Sequence, residues 1–165
     1  PSPTWSSTDV GWSDYYTAGP FTNAGLLYQW SAAMNGSTAE RAQGVCPTDW
    51  HVPSDCEWMY LENNLGMSTA LQGSSSSWRN FGSVGSKLST ATSSGNNNSG
   101  FTALLAGNRS TNGSFNSRGT SGYWWSSSVT SATGAQDRYL YSGQAGVLRG
   151  IGSKAGGFSV RCLKD

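Results

Sequence analysis

Charged residues are scarce in this sequence, and they form no run of one sign. Lys, Arg, Asp and Glu together make up 12% of the 165 residues, and the formal net charge is +1. Binding to nucleic acid or to an anionic membrane surface needs a basic patch or stripe, so neither is expected as a partner. Apolar runs are also short, and none approaches the length of a membrane span, so no insertion into a membrane is expected.

Side chains that carry catalysis are equally few. His51 is the only histidine, and its position between Trp50 and Val52 favours a structural role. A hydrolase needs a nucleophile beside a base, and no other side chain here ordinarily titrates near neutral pH. Residues 152–154, Gly-Ser-Lys, lack the rest of a phosphate-binding loop. We therefore expect no enzyme activity and no cofactor. No Cys-x-x-Cys or Cys/His spacing suggests zinc, and no Asp-rich loop predicts calcium, so no metal is expected either.

Small polar residues and aromatic residues dominate instead. Ser, Thr, Gly and Asn fill close to half of the chain, which also contains eight Trp and seven Tyr. This composition is typical of a loop-rich secreted domain with a polar surface and an aromatic core. The length suits one domain over residues 1–165. The chain begins with Pro1 rather than Met, so we expect any signal peptide to have been removed or to lie outside it.

The three cysteines allow one disulfide at a time. Cys162 ends the alternating segment 158–162, on the same face as Phe158 and Val160, and this period of two predicts a half-buried strand. Cys46 precedes a Pro-Thr turn that a disulfide would fix. We favour a Cys46–Cys162 bridge with Cys56 as the free thiol, and a Cys46–Cys56 bridge is the alternative.

One helix is well marked. Ser54 and Glu57 form a capping box, and the helix that follows is predicted to end at Gly66. Its apolar face consists of Trp58, Leu61 and Leu65. The acidic residues Asp55, Glu57 and Glu62 are assigned to its first turns, where carboxylates suit the helix dipole.

The remaining pattern predicts short elements. Alternation of Leu26, Tyr28 and Trp30 indicates a strand that runs into a short helix or turn, and residues 83–88 indicate a helical turn. From Gly100 onward the sequence alternates between short strands and turns. The strand-containing segments are 100–107, 112–119, 122–128, 137–141, 146–150 and 158–162. A helix in the first half followed by antiparallel strands predicts an α+β fold.

Several stretches, read together and in order, resemble a known family. They are GLLYQWSAAM, GVCPTDWHVPSDCEW, GFTALLAGNR, GSFNSRG, YWWSSS and GFSVRCLKD. They resemble the Fibrobacter succinogenes major paralogous domain over about residues 20–165, with departures at Asp49 and Leu105. The resemblance implies a C-type-lectin-like fold, in its formylglycine-generating-enzyme-like branch, on a secreted or cell-surface protein. It also implies a Cys46–Cys162 disulfide and a free Cys56.

The resemblance brings no activity with it. The chemistry of the formylglycine-generating branch needs two reactive cysteines close together, and Cys162 has no neighbouring cysteine. Calcium-dependent sugar binding is not implied either, because the Glu-Pro-Asn or Gln-Pro-Asp triplet of such lectins is missing. Function must therefore be argued from the site.

Some domains of this class are variable proteins of diversity-generating retroelements, in which adenine-directed mutagenesis rewrites codons near the C-terminus. An AAC codon mutated at its adenines can encode Tyr, Gly, Leu, Ile or Ser, but not Gln, Lys or Trp. The positions that fit this set, and that we predict to form a tolerant or diversified ligand-binding face, are Tyr139, Tyr141, Gly143, Gly146, Leu148, Gly150, Ile151, Gly152, Ser153 and Gly156. The interleaved positions expected to be constant are Arg138, Leu140, Val147, Arg149, Lys154, Gly157 and Phe158.

These patterns predict a secreted or surface-displayed module that binds a protein or glycan on another cell or surface. Tyr139 and Tyr141 would be its anchors, with Tyr123 and Asp137 at the edge. We expect exposure, on one side, of Tyr139, Tyr141, Leu148 and Ile151. We expect burial of Leu140, Val147, Phe158, Val160 and at least one of Trp124 and Trp125. The alternative is a structural domain of a surface appendage or envelope protein, whose Gly-rich segment is only a loop. An enzyme with an unrecognised site is a third hypothesis.

Overall fold

A computed structural model describes residues 4–16, 25–75 and 77–165. Within these ranges the strands are β1 Ser13–Tyr15, β2 Leu26–Tyr28, β3 Trp50–His51, β4 Asn108–Arg109, β5 Phe115–Asn116, β6 Ser121–Val129, β7 Gly134–Tyr141, β8 Leu148–Ser153 and β9 Leu163–Lys164. The helices are α1 Trp30–Ala33, α2 Asp55–Asn64, α3 Thr69–Gln72 and α4 Val84–Leu88, and a 3₁₀ turn covers Phe81–Ser83. This mixture of short helices and antiparallel strands confirms the α+β class.

Strands β6, β7 and β8 form an antiparallel sheet in chain order. The register places Tyr139 opposite Tyr123 on β6 and opposite Leu148 on β8. Residues directly opposite each other in antiparallel strands point to the same face of the sheet. These three side chains therefore share one face, while Arg138 and its partner Arg149 belong to the other.

The sheet has core on both faces, because Trp124 and Trp125 are adjacent on β6 and both are buried. Successive side chains of a strand point to opposite faces. Trp124 belongs to a core cluster that includes Trp58 of α2 and Leu140, whereas Trp125 belongs to a second cluster that includes Phe158. Both tryptophans are core residues.

Helix α2 begins as its capping box predicts. The Ser54 hydroxyl accepts a hydrogen bond from the Glu57 N–H, and the Glu57 carboxylate accepts one from the Ser54 N–H. The helix ends at Asn64, and Gly66 follows with a φ of +103°. The predicted apolar face is confirmed: Trp58 is buried, and Leu61 and Leu65 are partly buried against it.

The disulfide joins Cys46 to Cys162, and Cys56 is free and exposed, as predicted. Close by in sequence, β3 pairs with β9 through Trp50–Lys164 and His51–Leu163. The end of the chain is thus tied to the segment before α2 by one covalent bond and one antiparallel pair.

Two strand predictions are wrong. Residues 100–107 form no strand apart from an isolated bridge between Gly107 and Gly122. In segment 158–162, Phe158 and Ser159 form single bridges to Tyr28 and Trp124, and no strand follows until β9. The segment contacts two different strands, β2 and β6, and pairs continuously with neither of them. Its alternating pattern therefore reflects the burial of Phe158 and not the hydrogen-bonding pattern of a β-strand. Val160 is only partly buried.

The strand predicted through Trp30 is shorter than expected. Strand β2 ends at Tyr28, and Trp30 begins α1. The Trp30 indole N–H donates to the Ser126 carbonyl oxygen, 2.9 Å away. That bond anchors the short helix to the central sheet.

Candidate functional site

Five aromatic rings stand side by side across the sheet face that carries Tyr139. In order they are Trp78, Tyr139, Tyr123, Phe158 and Trp125, and we refer to them as the aromatic column. Consecutive ring centroids lie 4.9, 4.5, 5.0 and 4.2 Å apart. The Tyr123 and Tyr139 rings are nearly parallel, at 4°. This cross-strand pair of β6 and β7 joins the two ends of the column.

One end of the column is buried and the other is accessible. Trp125 and Phe158 are 0% and 8% exposed, whereas Tyr123, Tyr139 and Trp78 are partly exposed. Because neighbouring rings cover one another's faces, Tyr123 and Tyr139 offer a ligand their edges and phenol groups, not flat surfaces. The accessible end therefore suits recognition by hydrogen bonds and ring-edge contacts.

Tyr141 extends this accessible end. Its ring centroid lies 6.3 Å from that of Trp78, and the residue is 39% exposed. Gly143 is exposed beside it, and a Cβ at Gly143 would lie 2.7 Å from Cε1 of the Tyr141 ring. The structure thus brings Tyr123, Tyr139 and Tyr141 together on one surface.

The Tyr123 phenol keeps its proton at physiological pH. Burial raises the pKa of Tyr123 to about 12, and the neighbouring Tyr139 phenol contributes to the rise. The Ser121 hydroxyl lies 3.3 Å from the Tyr139 oxygen. The accessible end of the column therefore carries hydroxyl groups, which can donate and accept hydrogen bonds.

Asp137 does not lie on the edge of this surface as predicted, because it is buried at 5% exposure. Its carboxylate is so close to Gly150 that a Cβ there would overlap the Asp137 Oδ1 atom. Burial raises the pKa of Asp137 to about 7, although the Arg138 guanidinium and the Gly150 N–H both act to lower it. Asp137 thus lies beneath the column and not at its exposed edge.

Three glycines predicted to tolerate other side chains are closely packed. A Cβ at Gly146 would lie 2.6 Å from the Arg79 carbonyl oxygen. A Cβ at Gly152 would lie 2.6 Å from Phe158 Cε2 and 2.8 Å from Trp125 Cζ3. Gly150 is blocked by Asp137. Since atoms this close cannot coexist without a shift of backbone or core rings, these positions do not form a tolerant face.

Other predicted positions also differ from expectation. Gly156 is buried, with the Ser153 carbonyl oxygen 3.1 Å from an added Cβ. Ile151 is 62% exposed, but its register partner is Gln136, which is two residues from Arg138 on β7 and points to the same face as Arg138. Ile151 and Ser153 therefore lie on the face opposite Tyr139, whereas Leu148, which is partly buried, shares the face of the column. The prediction that these residues share one face with Tyr139 is therefore wrong for Ile151 and Ser153.

A buried ion-pair network lies beneath the opposite face. Glu62 of α2 is fully buried and accepts two hydrogen bonds of 2.7 Å from Arg79 and one of 2.6 Å from Arg138. Asp55 pairs with Arg138 and Arg149, each at 2.7 Å. Burial acts to raise the pKa of Asp55, but the bonds from Arg149 and Arg138 outweigh it and the pKa is lowered. Asp55 and Glu62 thus act as ion-pair partners. The assignment to the first turns holds for Asp55 and Glu57 but is wrong for Glu62, which lies in the second half of α2 and is placed by its arginine partners.

His51 is buried and contacts two carboxylates. Its Nδ1 is hydrogen-bonded to Asp165, and its Nε2 lies 3.0 Å from Glu57 Oε1. Glu57 in turn pairs with Arg41 at 2.9 Å. These contacts link β3, α2 and the residue after β9. Within the described ranges, no group of three or more His, Cys, Asp or Glu residues could hold a metal ion.

Trp78 is the member of the site that the sequence does not predict. It follows a run of four serines, where neither periodicity nor a motif marks it. The position of Trp78 is set by the next residue. Arg79 is buried and forms a β-bridge with Val147, and Trp78 therefore lies against Tyr139. A lone tryptophan in a Ser-rich loop next to an arginine is too common a pattern to show this.

A family model described as the Fibrobacter succinogenes major domain matches residues 4–164. No curated protein and no solved structure matches the chain. In the described part of the chain, no helix combines the length and the apolar content needed to cross a bilayer.

Proposed function

The chain belongs to the Fibrobacter succinogenes major domain family, and we propose that it is a ligand-binding module that acts outside the cell. Its binding surface is the accessible end of the aromatic column, formed by Trp78, Tyr123, Tyr139 and Tyr141. The ligand is a protein or glycan on another cell or surface. The proposal assigns no catalysis to the chain.

One observation carries this proposal: an aromatic column whose inner end is core and whose outer end is accessible. Trp125 and Phe158 fix the inner rings, so Tyr139 and Tyr123 are held by stacking before a ligand arrives. A ligand that contacts a fixed ring loses less conformational entropy than one that must order a mobile side chain. Tyr and Trp are also the residue types that most often anchor interfaces.

The disulfide supports a location outside the cytosol. Cys46 and Cys162 are bonded in the structure, and such bonds persist in oxidising compartments. A C-type-lectin-like arrangement of the strands is part of the same proposal. It is compatible with the short helices of the first half of the chain, the central antiparallel sheet and the disulfide that joins the C-terminal segment to the segment before α2.

We propose diversification by adenine-directed mutagenesis only for some of the predicted positions. The contacts of Gly146, Gly150 and Gly152 leave no room for the side chains that adenine-directed mutagenesis would introduce. The set that remains on or beside the column is Tyr139, Tyr141, Gly143 and Leu148.

The same glycine contacts favour a second function. If residues 146–152 are glycine-rich because they must pack closely against Arg79, Asp137 and Phe158, close packing alone accounts for their composition. A ligand is then not needed to explain it. The chain would then be a structural domain of a surface appendage or envelope protein. In that case the tyrosines at the column's end would have no binding partner.

The test uses an array of bacterial and host glycans and a phage-displayed peptide library as probes. The double variant Tyr139→Phe/Tyr141→Phe keeps both rings and removes both hydroxyls, so the column remains stacked. We expect the wild-type chain to select ligands that this variant binds at least tenfold more weakly, at unchanged Tm. Tyr15→Ser is the matched control, because Tyr15 is 59% exposed and does not belong to the column.

Two results would oppose the proposal. Ligands bound equally by the wild type and by Tyr139→Phe/Tyr141→Phe would place the binding site elsewhere. Absence of any selected ligand from both libraries would favour the structural domain.

A further inference from the structure

A separate cavity lies beside α2, and none of its lining residues belongs to the aromatic column. Its volume is about 360 Å³, and it lies between α2, Phe101 and residues 161–163. Small-molecule sites in proteins have volumes of about 300–1,000 Å³, so this cavity is large enough for one small ligand.

The cavity wall is mainly apolar. Trp58 and Leu61 contribute from α2, and the Phe101 ring lies 5.7 Å from the Trp58 ring. Tyr60 and Leu163 line the cavity while being 72% and 42% exposed. Apolar side chains left in water around a preformed cavity are the usual lining of a site that accepts an apolar ligand.

One residue that lines this cavity, Arg161, carries a positive charge without an ion-pair partner among the described residues. The Arg161 guanidinium stands 4.5 Å from the centroid of the Phe101 ring and forms no ion pair with any described residue. The other charged lining residue is Glu57, whose carboxylate is already paired with Arg41 at 2.9 Å and with His51 at 3.0 Å. The charge left for a ligand is therefore positive.

We propose that this cavity binds a small amphiphile with an apolar chain or ring and one carboxylate, as in a medium-chain fatty acid. The apolar part lies against Trp58, Leu61 and Phe101, and the carboxylate pairs with Arg161. A guanidinium suits a carboxylate because its N–H groups can bind both oxygens at once. The proposal is independent of the function assigned to the aromatic column.

The test measures binding of decanoate and of decanol to the 165-residue chain by NMR titration. We expect saturable binding of decanoate, with shifts confined to α2, Phe101 and residues 161–163. Arg161→Gln should weaken decanoate binding about tenfold and leave decanol binding unchanged, because only the charge pairing is lost. Lys164→Gln is the matched control: it removes a nearby positive charge that does not line the cavity, and it should change neither affinity.

A second variant tests the cavity itself. Asn64 is an exposed lining residue at the end of α2, so Asn64→Trp should fill the cavity mouth without disturbing the core and should weaken both ligands. The proposal is overturned if decanoate does not saturate, if Arg161→Gln and Lys164→Gln have equal effects, or if Asn64→Trp binds both ligands as the wild type does. Tyr139→Phe/Tyr141→Phe should bind decanoate normally, which separates this site from the column.

Discussion

The two faces of the β6–β7–β8 sheet are built from alternate residues of the same strands, yet they are stabilised in different ways. On one face, Arg138 and Arg149 reach Asp55 and Glu62 of α2 through short charge-assisted hydrogen bonds. On the other face, Tyr123 and Tyr139 stack in a column of rings. We refer to the first as the ion-pair face and to the second as the column face.

This difference indicates which face of the sheet can accept substitutions without loss of the fold. On the ion-pair face each buried charge depends on a partner of opposite sign, so removal of one group leaves another unpaired in a poorly solvated site. On the column face the rings interact by stacking, so replacement of the outermost ring removes contacts but leaves no buried charge without a partner. A binding surface can therefore be altered at the outer end of the column without loss of the fold.

The sharpest test of this contrast is Glu62→Gln on the ion-pair face. The change keeps the shape of the side chain but leaves Arg79 and Arg138 without their shared carboxylate. Loss of one partner from a buried pair costs about 3–5 kcal/mol. We expect a decrease of that size in the free energy of unfolding, measured with urea.

Asp49→Asn is the matched control, because Asp49 is exposed and pairs with no cation in the described ranges. It should change stability by less than about 0.5 kcal/mol. A loss below about 1 kcal/mol for Glu62→Gln would show that the network is not a main source of stability.

Asp137 gives the column face a pH dependence of its own. Its pKa is about 7 in the folded chain, above its ordinary value of 3.8, so the folded state holds a proton that the unfolded state releases. The stabilisation from this group is complete below pH 3.8 and is lost as the pH rises through about 7. The full effect is on the order of 4 kcal/mol.

Asp137→Asn should remove this dependence. The amide stays neutral, so the variant should gain stability relative to the wild type above pH 7 and match it near pH 4. Urea unfolding at a series of pH values measures the difference. Parallel stability curves for the two chains between pH 4 and 8 would rule out a raised pKa for Asp137.

Gly150→Ala tests how closely β8 packs against the central strand β7. The added methyl group would overlap the Asp137 carboxylate. Overpacking of this kind costs about 1–3 kcal/mol. Gly73→Ala is the control, since nothing lies within 4 Å of its added Cβ and its φ is −75°. Equal stability of the two alanine variants would restore residue 150 to the tolerant positions.

The features that follow from local chemistry could be predicted from the sequence. The capping box of Ser54 and Glu57 requires only residues close together in the chain, and it set the start of α2 correctly. The Cys46–Cys162 bridge follows from the inward position of Cys162 and from the Pro-Thr turn after Cys46, and it is confirmed. The alternation of Tyr139, Leu140 and Tyr141 gave the correct register for β7, with Leu140 buried.

Features that depend on distant contacts could not be predicted. Gly150 and Gly152 looked interchangeable with other small residues because the carboxylate that fills their space comes from Asp137 on the next strand. The role of Glu62 could not be predicted, and the sequence assigns it only to the helix dipole, since its partner Arg138 lies 76 residues away. Alternation in residues 158–162 predicted a ladder although no single strand lies beside the segment.

The smallest expected effect separates Ile151 from Leu148, which lie three residues apart on β8 and on opposite faces. Ile151 is 62% exposed, so Ile151→Ser should change the free energy of unfolding by less than about 0.5 kcal/mol. Leu148 is partly buried opposite Tyr139, so Leu148→Ser should cost about 1 kcal/mol because part of its apolar contact is lost. Urea unfolding of both variants measures the two values.

This pair also locates the boundary of the candidate surface. If Ile151→Ser leaves ligand binding intact while Leu148→Ser weakens it, binding follows the column face, as the register predicts. If Ile151→Ser weakens binding as much as Leu148→Ser, the ligand must wrap around the β8 edge and contact both faces. Tolerance to substitution would then be set by distance from the edge of the sheet, and not by the face on which a residue lies.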